Sequence, residues 1–268
     1  MLLTPGDTHC WTMQSTTPHL TEGTIHVWRV MLDAPRPVVD GLEMVLSHDE
    51  RERTERFLVE RHRLRFVVGR ACLRILLGGY LKQAADKLEF GYGSHGKPTL
   101  RAGQVAEAIR FNLAHSRGLA LYAFTLNREV GIDVEHWHTM EDGPAIARRF
   151  FAPEEVRELA AVPPQQWEEG FFRCWTRKEA YIKARGEGLT IPLRQFSITT
   201  QPGDRGALLR SPADPEGLSR WSVEELRPAE LSSGAIVAEG SDWSIERFQL
   251  PEWPDRYEDV TPWFRQLE

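Results

Sequence analysis

Residues 119–135 read LALYAFTLNREVGIDVE: two apolar, β-prone runs, 119–126 and 130–134, separated by a short polar stretch around Asn127-Arg128. Apolar runs of this length bounded by turn residues predict two strands, and the tight connection predicts that they pair as a hairpin. The polar break is also a seam. Strands and helical patterns alternate on both sides of it, which divides the chain into an N-terminal extension (1–23), a first half (24–126), a second half (127–250) and a tail (251–268).

Working outward through the first half, TIHVWRVML at 24–32 predicts a strand before the turn-forming Asp33-Ala34-Pro35. Ser47 and Glu50 make a capping-box pattern at the head of a long amphipathic helix, or two abutting ones, reaching about Leu77. A short strand at 88–90 leads into a glycine-rich loop that carries Lys97, and 109–113 predicts a strand entering Ala114-His115-Ser116. In the second half, helical patterns lie at 145–151, from Pro153, and over 165–185, the last ended by Gly186 and Gly188 and carrying Trp167, Phe171, Trp175 and Ile182 on one face. Strands follow at 196–199, 221–226, 235–238 and 243–250, and the tail is expected to be packed by Trp253 and Trp263 or left mobile. No exact repeat relates the halves.

With 41% hydrophobic and 27% charged residues among 268, the composition is that of a soluble globular protein. Thirty-three Lys and Arg against thirty-nine Asp and Glu give a net charge of −6, which supplies no global field for nucleic acid, so any anion site is local. Cys10, Cys72 and Cys174 form neither a redox nor a zinc pattern, and no run approaches the roughly 20 apolar residues of a membrane span. A cytoplasmic protein without a secretory leader or membrane attachment is expected.

Asp133 and Glu135 stand two apart on a predicted strand, so their carboxylates share a face. Side by side they repel unless they are solvated, one is protonated, or a cation lies between them, and magnesium, with its preference for hard oxygen ligands, suits such a pair. Taken alone, the pair reads more readily as a solvent-exposed strand end. WTRKEAYIKARGEGL at 175–189 places Glu179 and Lys183 four apart on a helix. They form either a surface ion pair or a functional group in which Glu179 joins Asp133 and Glu135 while Lys178 and Lys183 face a polyphosphate. His115, taken alone, is an ordinary strand-end histidine.

FNLAHS (111–116), GIDVE (131–135), RRFFAPEE (148–155) and WTRKEAYIKARGEGL (175–189) occur in that order within about eighty residues. Together they resemble the Sfp-type 4′-phosphopantetheinyl transferase family over about 46–198, and the KEA ending resembles its W/KEA branch. The resemblance implies an α+β pseudo-dimer of two similar halves with the active site in the cleft between them. It implies a holo-[acyl-carrier-protein] synthase type enzyme that moves the phosphopantetheine arm of coenzyme A to a serine of an acyl, peptidyl or polyketide carrier protein, with Mg2+ as cofactor and no nucleic-acid or membrane partner. A monomer is expected. The implied metal ligands are Asp133, Glu135 and Glu179, and the implied catalytic residues are Glu179, Lys183 and Asp133, with Glu179 a ligand, a base, or both. Coenzyme A would be held by Lys97, His115, Arg65, Lys178, Lys183 and Arg53. Glu155 matches a family glutamate near the site, with proton handling as its one suggested role. Ala114 departs from the family, which often has serine there. A degenerate relative that binds a carrier or coenzyme A without turnover is the alternative, and the arginines of 51–74 are expected to offer the carrier a basic rim or to form a solvated face.

Overall fold

The computed structural model describes residues 10–93, 96–101, 109–186, 191–203 and 205–260. The chain enters through β1 (Thr12–Met13) and β2 (Thr24–Met31), followed by helices α1 (Arg36–Leu42), α2 (His48–Glu55) and α3 (Glu60–Leu81). A small hairpin of β3 (Phe90–Tyr92) and β4 (Pro98–Leu100) precedes a long one of β5 (Ile109–Ser116) and β6 (Leu119–Leu126). The second half contains β7 (Val130–His136), α4 (Gly143–Phe150), α5 (Pro153–Ala160), α6 (Trp167–Arg185), β8 (Ser197–Ile198), β9 (Arg205–Arg210), α7 (Gly217–Arg220), β10 (Trp221–Leu226), β11 (Ser232–Glu239) and β12 (Ser244–Gln249).

Period-two alternation with apolar residues on both faces dictates the layering. In β2 and β6, Trp28, Val30, Tyr122 and Phe124 turn one way, onto Val67, Val68, Ala71 and Cys72 of α3. Ile25, Val27, Leu121 and Ala123 turn the other way, onto Val130, Ile132 and Val134 of β7 and Ile236 and Ala238 of β11. The opposite face of β11, through Ala235 and Val237, packs on Ala180, Tyr181 and Ala184 of α6. The order of layers is therefore helix, sheet, sheet, helix, an α+β arrangement in which each half buries its strands on both sides.

The first sheet runs β1-β12-β2-β6-β5 and the second β7-β11-β10-β9-β8. Each contains the same kernel: a strand (β2 or β7), a long helix (α3 or α6), then an antiparallel hairpin whose second strand pairs antiparallel with the first strand. A second shared device is buried. Glu50 of α2 accepts the Ser47 N–H at 3.0 Å and meets Arg74 Nε of α3 at 2.5 Å, and Glu155 of α5 accepts the Ala152 N–H at 2.8 Å and meets Lys178 Nζ of α6 at 2.7 Å. In both halves a glutamate three residues into a short helix caps its start and anchors the long helix through a cation 24 or 23 residues downstream. This is the pseudo-dimer.

The hairpin expected from 119–134 does not form. β6 pairs with β2 and β5 while β7 pairs with β11, and Asn127, at φ 51°, turns the chain from one sheet to the other. Both runs are apolar on both faces, so stacking two sheets buries more of each than one hairpin would. The strand at 244–249, assigned from sequence to the second half, returns to the first sheet and runs parallel to β2. The N-terminal extension is likewise partly built in: Thr12 and Met13 pair with β12, and Leu20 is buried. In the tail Trp253 Nε1 donates to Met31 O at 2.6 Å and Val260 is buried, whereas Trp263, like Gly188, lies outside the described residues.

Candidate active site

The edge strands of the two sheets, β5 and β7, lie against each other, and a cleft of about 1280 Å³ opens along that junction. Its first-half wall comes from α2, α3 and β5, including Arg53, Arg65, Phe66 and His115; its second-half wall comes from β7 and α6, including Asp133, Glu135, Glu179 and Lys183.

Gly131 explains how α6 comes close enough to matter. A Cβ there would lie 2.1 Å from Ala180 O and 2.3 Å from Ala184 N, so only glycine permits this helix-to-strand contact. Two and four residues later on the same face, Asp133 and Glu135 therefore meet the α6 positions 179 and 183. Lys183 Nζ donates to Asp133 Oδ1 at 2.6 Å. The other oxygen, Oδ2, is buried without a hydrogen-bond partner. Glu135 Oε2 accepts from Ser116 Oγ at 2.8 Å. All three carboxyls are held above their ordinary range, in each case chiefly by burial. The Asp133 charge adds to the rise at Glu135, and the Asp133 and Glu135 charges to that at Glu179, while Lys183 lowers all three. Among the described residues no three such side chains already meet around one point.

The other expected cations divide. His115 is exposed in the cleft, its pKa lowered by desolvation first and by the charges of Lys183 and Arg65 second. Arg65 lines the cleft in a bidentate pair with Asp33, both contacts 2.7 Å. Lys97 reaches across from the first half to donate to Lys183 O, at the last turn of α6, at 2.9 Å, and burial lowers its pKa. Arg53 is exposed and lies over the Phe66 ring, 5.1 Å from its centre.

Lys178 is not in the cleft. It is 0% exposed, and its ammonium is satisfied by both Glu155 oxygens and by Phe196 O, each at 2.7 Å. Adjacent helical positions point about 100° apart, so with Glu179 facing the carboxylates Lys178 must face the core. Glu155 is spent on the same pair and on the Ala152 and Ile198 N–H groups, which leaves it no proton to handle at the site. The arginine segment is also less basic than its composition suggests. It breaks between α2 and α3, Arg70 and Arg74 turn inward to Glu50, and exposed Arg51, Arg53, Arg56 and Arg61 alternate with exposed Glu52, Glu55 and Glu60.

Comparison with known proteins decides what this cleft belongs to. The profile of the 4′-phosphopantetheinyl transferase superfamily matches residues 129–238, and that of the 4′-phosphopantetheinyl transferase N-terminal region matches 37–125. The chain is 37% identical over 235 residues to 4′-phosphopantetheinyl transferase HetI of a Nostoc species, covering 88% of this chain and 96% of that protein. The chain belongs to the 4′-phosphopantetheinyl transferase superfamily. Similarity extends to a 4′-phosphopantetheinyl transferase of Bacillus subtilis, 30% identical over 64% of this chain and 75% of the relative. It also extends to Sfp of Bacillus subtilis strain 168, 29% identical over 57% and 66%. The protein is thus an Sfp-type phosphopantetheinyl transferase, an enzyme that transfers the phosphopantetheine arm of coenzyme A.

Within this transferase the residues that sequence reasoning missed are those that set the walls. Ser116 and Asn112 bind β7 groups, and Tyr122 lines the cleft. Alternation on β5 was the available signal, because 112, 114 and 116 share a face. Among the described residues no helix is long and apolar enough to cross a membrane.

Proposed function

We propose that the transferase binds coenzyme A across the cleft with Mg2+ on Asp133, Glu135 and Glu179, and passes the phosphopantetheine arm to a carrier-protein serine. The buried, unpartnered Asp133 Oδ2 carries the metal assignment: a buried anionic oxygen without a donor is costly, and three carboxyls pushed upward beside one another are a donor set for a hard divalent cation. Bound there, the ion would neutralise charge developing on the pyrophosphate. His115, with Arg53 and Arg65 on the same wall, would take the 3′-phosphate, and Lys183 the pyrophosphate once it leaves Asp133. Lys97 lies within reach of the same pocket, although its present acceptor is Lys183 O.

The serine oxygen forms the new bond to the β-phosphorus, the bond from that phosphorus to the bridging oxygen breaks, and 3′,5′-bisphosphoadenosine leaves. The serine proton passes to Glu179 directly or through water. Glu179 has no hydrogen-bond or ion-pair partner among the described residues, which leaves its oxygens open to a metal or to a proton. Positioning and charge neutralisation supply the rate. We assign the chain to the W/KEA branch, on Trp175 and Lys178-Glu179-Ala180. Both cleft walls come from one chain, which supports a monomer, and three unpaired cysteines support the cytoplasm. Calorimetric titration with coenzyme A tests the reading: binding should tighten at least tenfold with Mg2+, that gain should be lost in Asp133→Ala, and metal-independent binding of equal strength would remove the assignment.

A further inference from the structure

β7 is an edge strand, so the backbone groups on its free side need partners. The described residues supply them from the other half. Asn112 Oδ1 accepts the Ile132 N–H at 2.9 Å, and Ser116 Oγ accepts the His136 N–H at 3.2 Å. Between these, Ala114 offers no side-chain acceptor. The side chains at 112 and 116 thus stitch the first half to the strand that carries Asp133 and Glu135.

Ser116 does one thing more. A hydroxyl has a single hydrogen, and with an oxygen lone pair taken by the His136 N–H that hydrogen is directed to Glu135 Oε2, 2.8 Å away. We propose that Ser116 is a positioning residue that fixes the Glu135 carboxylate, presenting its remaining oxygen to the metal and tying metal affinity to the junction between the halves. This rests on the metal reading above. Hydrogen bonds to the ligating groups of a metal site typically govern affinity or activity by about 10–100-fold, and this one also spans the two halves that wall the cleft.

Mn2+ binding, followed by electron paramagnetic resonance on metal-stripped protein without coenzyme A, separates this role from a packing role. Ser116→Ala should bind Mn2+ about tenfold or more weakly and need correspondingly more Mg2+ for half-maximal turnover, with the KM for coenzyme A changed less than twofold at saturating metal. Ser116→Thr, which keeps the hydroxyl, should restore Mn2+ affinity to within about threefold. Thermal melts of both variants check folding, since Ser116 is only half-buried. Wild-type Mn2+ affinity in a folded Ser116→Ala overturns the inference alone, as does a Thr variant as weak as the Ala variant. Wild-type protein that binds no Mn2+ overturns the metal reading with it.

Discussion

Lys178→Met separates a structural lysine from a phosphate-binding one. In the wild type the ammonium is wholly enclosed between Glu155 and Phe196 O, so removing it leaves a buried carboxylate with only the Ala152 and Ile198 N–H groups. Breaking a buried pair by deleting one partner costs about 3–5 kcal/mol, and the two surviving N–H donors place this case at the lower end, about 3 kcal/mol. With a urea dependence of about 3 kcal/mol per molar, the unfolding midpoint should fall by about 1 M, read from tryptophan fluorescence. Lys178→Met with Glu155→Gln, which removes the orphaned charge, should recover about half of the loss. Coenzyme A affinity, measured at low temperature where both variants stay folded, should change less than about twofold. A Lys178→Met protein as stable as wild type but binding coenzyme A tenfold more weakly would refute the placement of this residue and of the α6 rotation that determines it.

Asp133→Ala should lower transfer by at least about a hundredfold while the protein remains folded, because the proposed metal site would lose a charged ligand; turnover at wild-type level under limiting Mg2+ would count against it. Dephospho-coenzyme A should be a poor substrate, and His115→Ala should weaken coenzyme A by about 1.5–3 kcal/mol with little further loss on the dephospho form, as steady-state kinetics with both substrates would reveal. Asp133, Glu135 and Glu179 have folded pKa values above the ordinary 3.8 and 4.5, so the folded state binds their protons more tightly than the unfolded chain does. Their contribution to stability is present below the ordinary values and lost as pH rises through the folded ones. Thermal melts should accordingly show Mg2+ stabilising the protein more at pH 7.5 than at pH 5. His26 titrates in the opposite sense: buried, with a pKa lowered from 6.5 to about 4, it should make the protein less stable as pH falls from 6.5 toward 4, and His26→Gln should flatten that limb in urea titrations.

Much of the candidate site was legible because its side chains are grouped by local spacing. GIDVE places two carboxylates on one strand face, and the spacing of Glu179 and Lys183 brings both to that face from a helix. The errors came from what local pattern leaves open. A helix lysine next to a site glutamate points elsewhere, and nothing in KEA says that Lys178 faces Glu155 until the packing of α6 fixes its rotation. The 119–134 stretch has the appearance of a hairpin because strand, turn and strand are local, while the choice of partner is made by β2 and β11, about a hundred residues away in sequence. Strand β12 is similar: its own sequence is β-prone, but its pairing with β2 depends on a return across the whole molecule. The buried partners of Arg70 and Arg74 were invisible for the same reason, which left an arginine count to stand for a basic surface.

The most direct test is the intact mass of an apo carrier protein after incubation with this enzyme, coenzyme A and Mg2+. The expected result is a gain of one phosphopantetheinyl group at the carrier serine, stoichiometric release of 3′,5′-bisphosphoadenosine, and loss of both on chelation or in Asp133→Ala. Carriers drawn from fatty-acid, polyketide and peptide assembly systems that all stay unmodified while coenzyme A is bound would contradict it, and would leave the cleft a binding site without turnover.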